Sequence, residues 1–244
     1  MDQGTKSLLN VVLSVLAPVL VLDHCSTEGP GLLELGTTWA MVVALALPIG
    51  CGIWTFIDTR RVDPITLFGL LGTILTGVVT VYANTGDGGA IRPDTPWWYA
   101  AKEGLIPMLL CGAVLVTARR RDSMLRLFVY SDAIFDIPAI EKAVEEKSLQ
   151  PAYAAVLWRA SVMMALTLLA SAAANFCLAL HFLLPVLQEQ PAKQALAYNY
   201  AVSSMTWWGY LVIGVPLLGT LVGVIRFLLG RLSKLTGLES VTNR

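Results

Sequence analysis

The stretch from Trp97 to Ala118, WWYAAKEGLIPMLLCGAVLVTA, makes two demands at once. As a helix it is about 30 Å long, the thickness of a bilayer's hydrocarbon core. Yet Lys102 and Glu103 lie inside its apolar run, and Pro107 follows four residues after Glu103. A proline has no N–H, so the carbonyl of Glu103 loses its usual helical partner. A charge at mid-bilayer costs from about 3 to more than about 10 kcal/mol, depending on the measure. Other parts of the chain must therefore offset that cost.

Composition places the whole chain in a membrane. Of 244 residues, 56% are hydrophobic and 14% charged, against roughly 25% charged in soluble domains. That balance excludes a soluble helical bundle. Net charge is zero, with no basic face and no recognition motif, so nucleic acid is excluded as a partner. The expected fold is all-α, a polytopic membrane protein forming one transmembrane domain over 1–244. Six apolar runs predict spans at about 7–23, 37–57, 64–83, 97–118, 158–183 and 204–229. The first is read as an uncleaved span, because no small-residue cleavage site follows it.

Charge sets the expected orientation. With both termini inside, the inner segments hold 14 of the 17 Lys and Arg residues, and the outer loops hold only Arg92 and Lys193. The positive-inside rule then selects N-in, C-in. Trp39, Trp97, Trp98, Trp207 and Trp208 fall near the outer ends of spans, as an aromatic belt does.

Local features add detail. Pro48, Gly50 and Gly52 cluster in the second span and predict a kink or break there. Gly69, Thr73 and Gly77 form a small-residue stripe for close helix approach, and Gly219 and Gly223 repeat the theme. The segment 119–157 is the longest loop and is expected on the cytoplasmic surface. Arg119, Arg120 and Arg121 open it, and Met124, Leu125, Leu127, Phe128 and Phe135 suggest an interfacial amphipathic helix. Asp136 before Ile137-Pro138 reads as a helix cap. Asp132 and Asp136, four apart, are a solvated face or a metal or partner site. Asn10 is expected to hydrogen-bond another helix, and Asp58 to answer Arg60 or Arg61.

The order LLNVVLSVLAP, ALALPIGCGIWTFIDTRRVDPITLFGLLGTILTG, KEGLIPMLLCGAVLV, LWRASVMMALTLLASAAANFCLAL and RLSKLTGLE resembles a family of six-span bacterial inner-membrane proteins. That family is distantly similar to septation protein A, the YciB-like proteins. The resemblance rests most on Lys102-Glu103 with Pro107, Trp158-Arg159 with Asn175, and Leu235-Thr236-Gly237-Leu238. It implies a bacterial inner-membrane location and a link to cell-envelope and division partners. It implies no catalytic residue.

Two constellations are candidates for function. Glu103 lies roughly 9 Å below Trp97, and Asn175 roughly 10 Å below Phe182, so both are expected in one polar layer with Tyr210 nearby. Adjacent helix positions diverge by about 100°, so Lys102 is expected to snorkel outward and leave Glu103 to other partners. Glu103 is then a solute- or proton-binding carboxylate, or a buried group satisfied by Asn175, Tyr210 or Lys102. The second set is His24, Cys25, Cys177 and His181, all expected on the outer side. It suits zinc or copper, a Cys25–Cys177 disulfide, or four unrelated residues. No Ser/His/Asp set, phosphate loop or HExxH appears, so no cofactor is expected and the function leans away from catalysis. The leading expectation is a protein that binds or transports a small or lipidic solute around Glu103, with Pro48, Gly50, Gly52 and Pro107 lining the cavity. The rival is a scaffold that recruits envelope-synthesis proteins through 119–157. Expected partners are the bilayer, that solute, envelope proteins and, in a homo-oligomer, a second copy of the chain.

Overall fold

The computed structural model describes residues 16–27, 34–59, 64–84, 86, 90–120, 123–132, 134–238 and 241–242. The predicted first span falls largely outside them, as do Asn10 and the side chain of Asp58. The described helices are α1 (Ala17–Cys25), α2 (Gly36–Thr59), α3 (Pro64–Ala83), α4 (Thr95–Thr117), α5 (Met124–Phe128), α6 (Ile137–Glu146), α7 (Gln150–Leu183), α8 (Pro191–Gly209) and α9 (Val215–Thr236). A 3₁₀ turn, Pro185–Gln188, precedes α8, and a π-helical turn, Tyr210–Gly214, joins α8 to α9. Among the described residues, four stretches are long and apolar enough to cross a membrane: Gly36–Trp54, Thr95–Thr117, Gln150–Gln188 and Pro191–Thr236. The chain is thus all-helical and built largely from apolar helices.

Of the kink or break expected in the second span, no break occurs. Helix α2 runs from Gly36 to Thr59 straight through Pro48, and α4 likewise runs through Pro107. Proline removes one hydrogen bond, whereas breaking a helix in apolar surroundings strands several backbone groups. The irregular turn lies instead at Tyr210–Gly214, just before Pro216. Thr220 donates to the Pro216 carbonyl at 3.0 Å. The small-residue stripes also divide. A side chain at Gly77 would touch Leu45 of α2 at 3.8 Å, an ordinary contact that suits close helix packing, whereas Gly219 and Gly223 face open space.

The chain divides into two compact units. One comprises residues 1–106 and 175–210; the other comprises 107–174 and 211–244. The first is centred on Leu22, Met41, Val79, Tyr99, Leu183 and Tyr198. Its main surprise is α8, because the sequence places 184–203 in an outer loop. Here Tyr198 and Asn199 are almost fully buried. Asn199 donates to Ser26 Oγ at 3.0 Å and to the Thr37 carbonyl at 3.1 Å, which ties α8 to the end of α1 and the start of α2. Gln194 accepts from the Ile91 amide at 2.8 Å and donates to the Glu189 carbonyl at 3.0 Å. The donors of these polar residues are thus used within a core, although Asn199 Oδ1 and Ser203 Oγ find no partner there. From Pro191 to Thr236 the helical path covers 46 residues, more than the roughly 20 that a spanning helix needs. Its exposed apolar run starts at Trp207 and Trp208 and continues through Leu211, Val215, Leu218 and Val222, within the predicted sixth span. Helix α7 begins at Gln150, eight residues ahead of its predicted start.

The second unit contains the segment 119–157. The segment is helical, and Asp136 does cap α6 by accepting from the Ala139 amide at 3.1 Å. Ser123 similarly caps α5. Its apolar side chains, however, pack on protein. Leu125, Tyr130, Phe135 and Ile140 share one core with Leu228 and Leu232 of α9. Helix α6 is amphipathic in the same sense, with Ile140, Ala143 and Val144 buried and Glu141, Lys142, Glu145 and Glu146 exposed. The C-terminal tail completes this core. Gly237 ends α9 at φ 71°, its amide donates to the Ser233 carbonyl at 2.8 Å, and Lys147 donates to the Thr236 carbonyl at 2.5 Å. The Asp136 amide then donates to the Val241 carbonyl at 3.0 Å.

Three predictions follow from these joints. Asn199→Ala leaves Ser26 and the Thr37 carbonyl short of a donor. It should lower stability by about 1–3 kcal/mol in detergent, read by thermal unfolding. Gly237→Ala forces a left-handed backbone onto a residue with a Cβ, and that Cβ would stand 3.1 Å from Lys147 Nζ. The variant should melt earlier, and proteolysis should then release the C-terminal tail first. The third concerns acid. Asp94 accepts from Tyr82 at 2.5 Å and from Trp98 Nε1 at 3.1 Å. The Tyr82 hydrogen bond, joined by Trp98 and Arg92, holds its carboxyl below the ordinary value. A carboxyl lowered by folding stabilises the protein above its unfolded-state value and loses that contribution as pH falls through the folded one. The melting temperature of the wild type should thus fall in acid more steeply than that of Asp94→Asn.

Candidate functional site

The charged pair of α4 meets its cost locally. Lys102 and Glu103 are bonded to each other, Nζ to Oε1 at 2.6 Å. Lys102 also donates to Thr76 Oγ1 of α3 at 2.6 Å, and its ammonium stands 4.1 Å from the centre of the Tyr99 ring. Tyr99 lies one turn before Lys102 on the same helix and is almost fully buried. Its ring meets that of Tyr198 edge-on at 6.1 Å. The Tyr198 hydroxyl pairs with Thr80 Oγ1 at 3.3 Å, one turn along α3 from Thr76. Carboxylate, hydroxyl and π-face therefore surround one ammonium.

This arrangement overturns the expectation that Lys102 snorkels away from Glu103. Adjacent Cβ atoms do diverge, but a four-carbon stem reaches back, and low dielectric rewards pairing. The two groups differ in access. The side chain of Lys102 is 9% exposed and that of Glu103 26%. The Lys102 side chain is thus more enclosed than that of Glu103.

The predicted polar layer is also shifted. The Trp97 ring stands 6.4 Å from that of Phe176, so the residue level with Trp97 is Phe176 and not Phe182. Asn175 then lies roughly 7 Å from the level of Glu103 along the helix axes. Tyr210 is exposed and sets its ring against Trp207 at 6.1 Å. The sequence reading missed Thr76, Thr80, Tyr99 and Tyr198. The signal was present as Thr76 and Thr80 four apart on α3, and as Tyr99 one turn before Lys102-Glu103. Pro48, Gly50 and Gly52 lie in continuous helix and form no broken lining.

Known proteins add nothing to this geometry. No family model matches the chain, and neither a curated protein nor a solved structure matches it. The site has to be judged on its own chemistry.

The outer His and Cys residues do not assemble. Among the described residues, no three His, Cys, Asp or Glu side chains form a metal-ligating group. Cys25 is buried and Cys177 exposed, and both are free thiols. His24 pairs through Nδ1 with the Leu20 carbonyl at 3.2 Å, and His181 lies edge-on to Phe182 at 5.2 Å. These are helix-end contacts of their own elements.

A double-mutant cycle measures what the pair contributes. Lys102→Met leaves a carboxylate without its cation and should cost about 1–3 kcal/mol, less than a fully buried pair because Glu103 is partly exposed. Glu103→Gln keeps an acceptor for Lys102 and should cost less. The double variant should recover part of the Lys102→Met loss in chemical unfolding. Strict additivity would show that the two side chains do not act as a pair.

Proposed function

We propose that the chain is a non-enzymatic, multi-pass protein of the bacterial inner membrane that binds or transports a small or lipidic solute at Glu103. The observation that carries this reading is the ion pair inside an apolar helix, with the Lys102 side chain more enclosed than that of Glu103. An ionisable group within a spanning helix is a functional candidate by default. A cationic or hydrogen-donating solute would bond to Glu103. Lys102 would keep Thr76 and the Tyr99 ring as its other partners. The six-span, N-in/C-in topology belongs to the same proposal, supported by the distribution of Lys and Arg, as does the likeness to septation protein A relatives, which rests on the sequence motifs alone.

A second reading is a scaffold for envelope-synthesis partners. What favours it is the folded state of the 123–149 region, which is held on α9 and presents Glu141, Lys142, Glu145 and Glu146 outward. A surface of this kind recruits a protein partner through charge.

Complementation of a strain lacking the gene separates the two. Glu103→Gln should accumulate to wild-type levels yet fail to complement, whereas Glu145→Lys with Glu146→Lys should complement. The opposite pattern would favour the scaffold. For topology, single cysteines at exposed positions are informative: one at Gln190 should react with an impermeant reagent from outside, and ones at Glu145 and Lys234 should not.

A further inference from the structure

A cleft of about 490 Å³ opens in the second unit, where α4 ends and α7 begins. Arg119, Arg120 and Arg126 wall it, with Tyr153, Leu157 and Trp158 completing its lining. Among the described residues, no acidic side chain lines it. The three arginines are not equivalent. Arg126 is anchored, donating to Glu141 at 2.8 Å and to the Tyr153 hydroxyl at 3.2 Å. Arg119 and Arg120 are exposed. Arg119 lies over the Trp158 ring at 5.2 Å, which orients its guanidinium beside the cleft.

The position of the cleft adds a second argument. Helix α4 is long and apolar enough to cross a bilayer and ends at Thr117, two residues before Arg119. The end of such a helix is where the headgroup layer begins. Trp158, an amphipathic ring at the same level, suits that layer. Guanidinium forks bind phosphate oxygens in pairs, and alanines 118, 154 and 155 leave room beside them.

We propose that this cleft binds the phosphate headgroup of an anionic phospholipid. Arg119 and Arg120 take the phosphate oxygens, Arg126, its charge answered by Glu141, forms a fixed wall beside them, and Trp158 and Leu157 border the start of the acyl chains. The site is separate from Glu103 and does not depend on its role.

The full chain is purified from vesicles of phosphatidylcholine doped with phosphatidylglycerol, and retained lipid is identified by native mass spectrometry. The wild type should retain phosphatidylglycerol in preference to phosphatidylcholine. Arg119→Gln with Arg120→Gln should reduce that preference by about tenfold or more. Arg226→Gln removes an exposed arginine outside the cleft and should leave it unchanged. Retention by the double variant, or an equal loss in Arg226→Gln, would overturn the proposal. Excess inorganic phosphate should not displace the lipid; displacement would assign the cleft to a free anion instead. A readout that needs no arginine variant is quenching of Trp158 fluorescence, taken as the difference from Trp158→Phe. Brominated phosphatidylglycerol should quench it more than brominated phosphatidylcholine does, and equal quenching would also overturn the proposal.

Discussion

A lysine and a glutamate side by side in an apolar helix must be neutralised where they stand, and much of the first unit is arranged around that requirement. Lys102 finds a carboxylate, a hydroxyl and an aromatic face within reach. Each comes from a residue whose own position is set by packing. Thr76 is carried by α3, Tyr99 is clamped against Tyr198, and Tyr198 in turn bonds Thr80. Helices α3, α4 and α8 are thereby joined through one polar chain. Such a network is stable only when each member is satisfied, since a half-satisfied one in low dielectric costs more than an apolar core.

The same rule governs the backbone. Prolines 48 and 107 do not break their helices, because apolar surroundings offer no water to replace lost helical bonds. Between α8 and α9 the hydrogen-bond pattern does change, at Tyr210–Gly214 ahead of Pro216. Two buried amides also bond across elements. Asn199 and Gln194 bond loop and helix-end atoms of the first unit, so α8 is a structural part of that core despite its polar composition.

In the second unit, charge is sorted by what lies behind it. Burial works against the charge of Arg126, but its hydrogen bond to Glu141 and the nearby tyrosines outweigh that and hold the guanidinium above its ordinary value. Tyr130, buried beneath it and bonded to Tyr153, is pushed far above the usual phenol range. Tyr130 and Tyr153 belong to the apolar core around Leu228, whereas arginines 119 and 120 are exposed.

The sequence by itself determined the class of protein and most of its elements. Apolar runs of spanning length can satisfy their backbone only as helices, so α2, α3, α4 and α7 were legible to within a few residues, apart from the early start of α7. The Asp136 cap was legible because it is a local interaction between neighbours in the chain. Lys102-Glu103 stood out as a site because charge in an apolar run is costly wherever the helix packs. What the tertiary structure alone decided was partnership. Whether Lys102 turns outward or back to Glu103 depends on Thr76, which lies 26 residues away. Whether residues 191–203 form a loop or a buried helix depends on Ser26 and Thr37, more than 160 residues away. Whether the apolar side of 119–157 faces lipid or protein depends on Leu228 and Leu232. Composition and period report what a residue needs; only the packed chain determines which group is near enough to supply it.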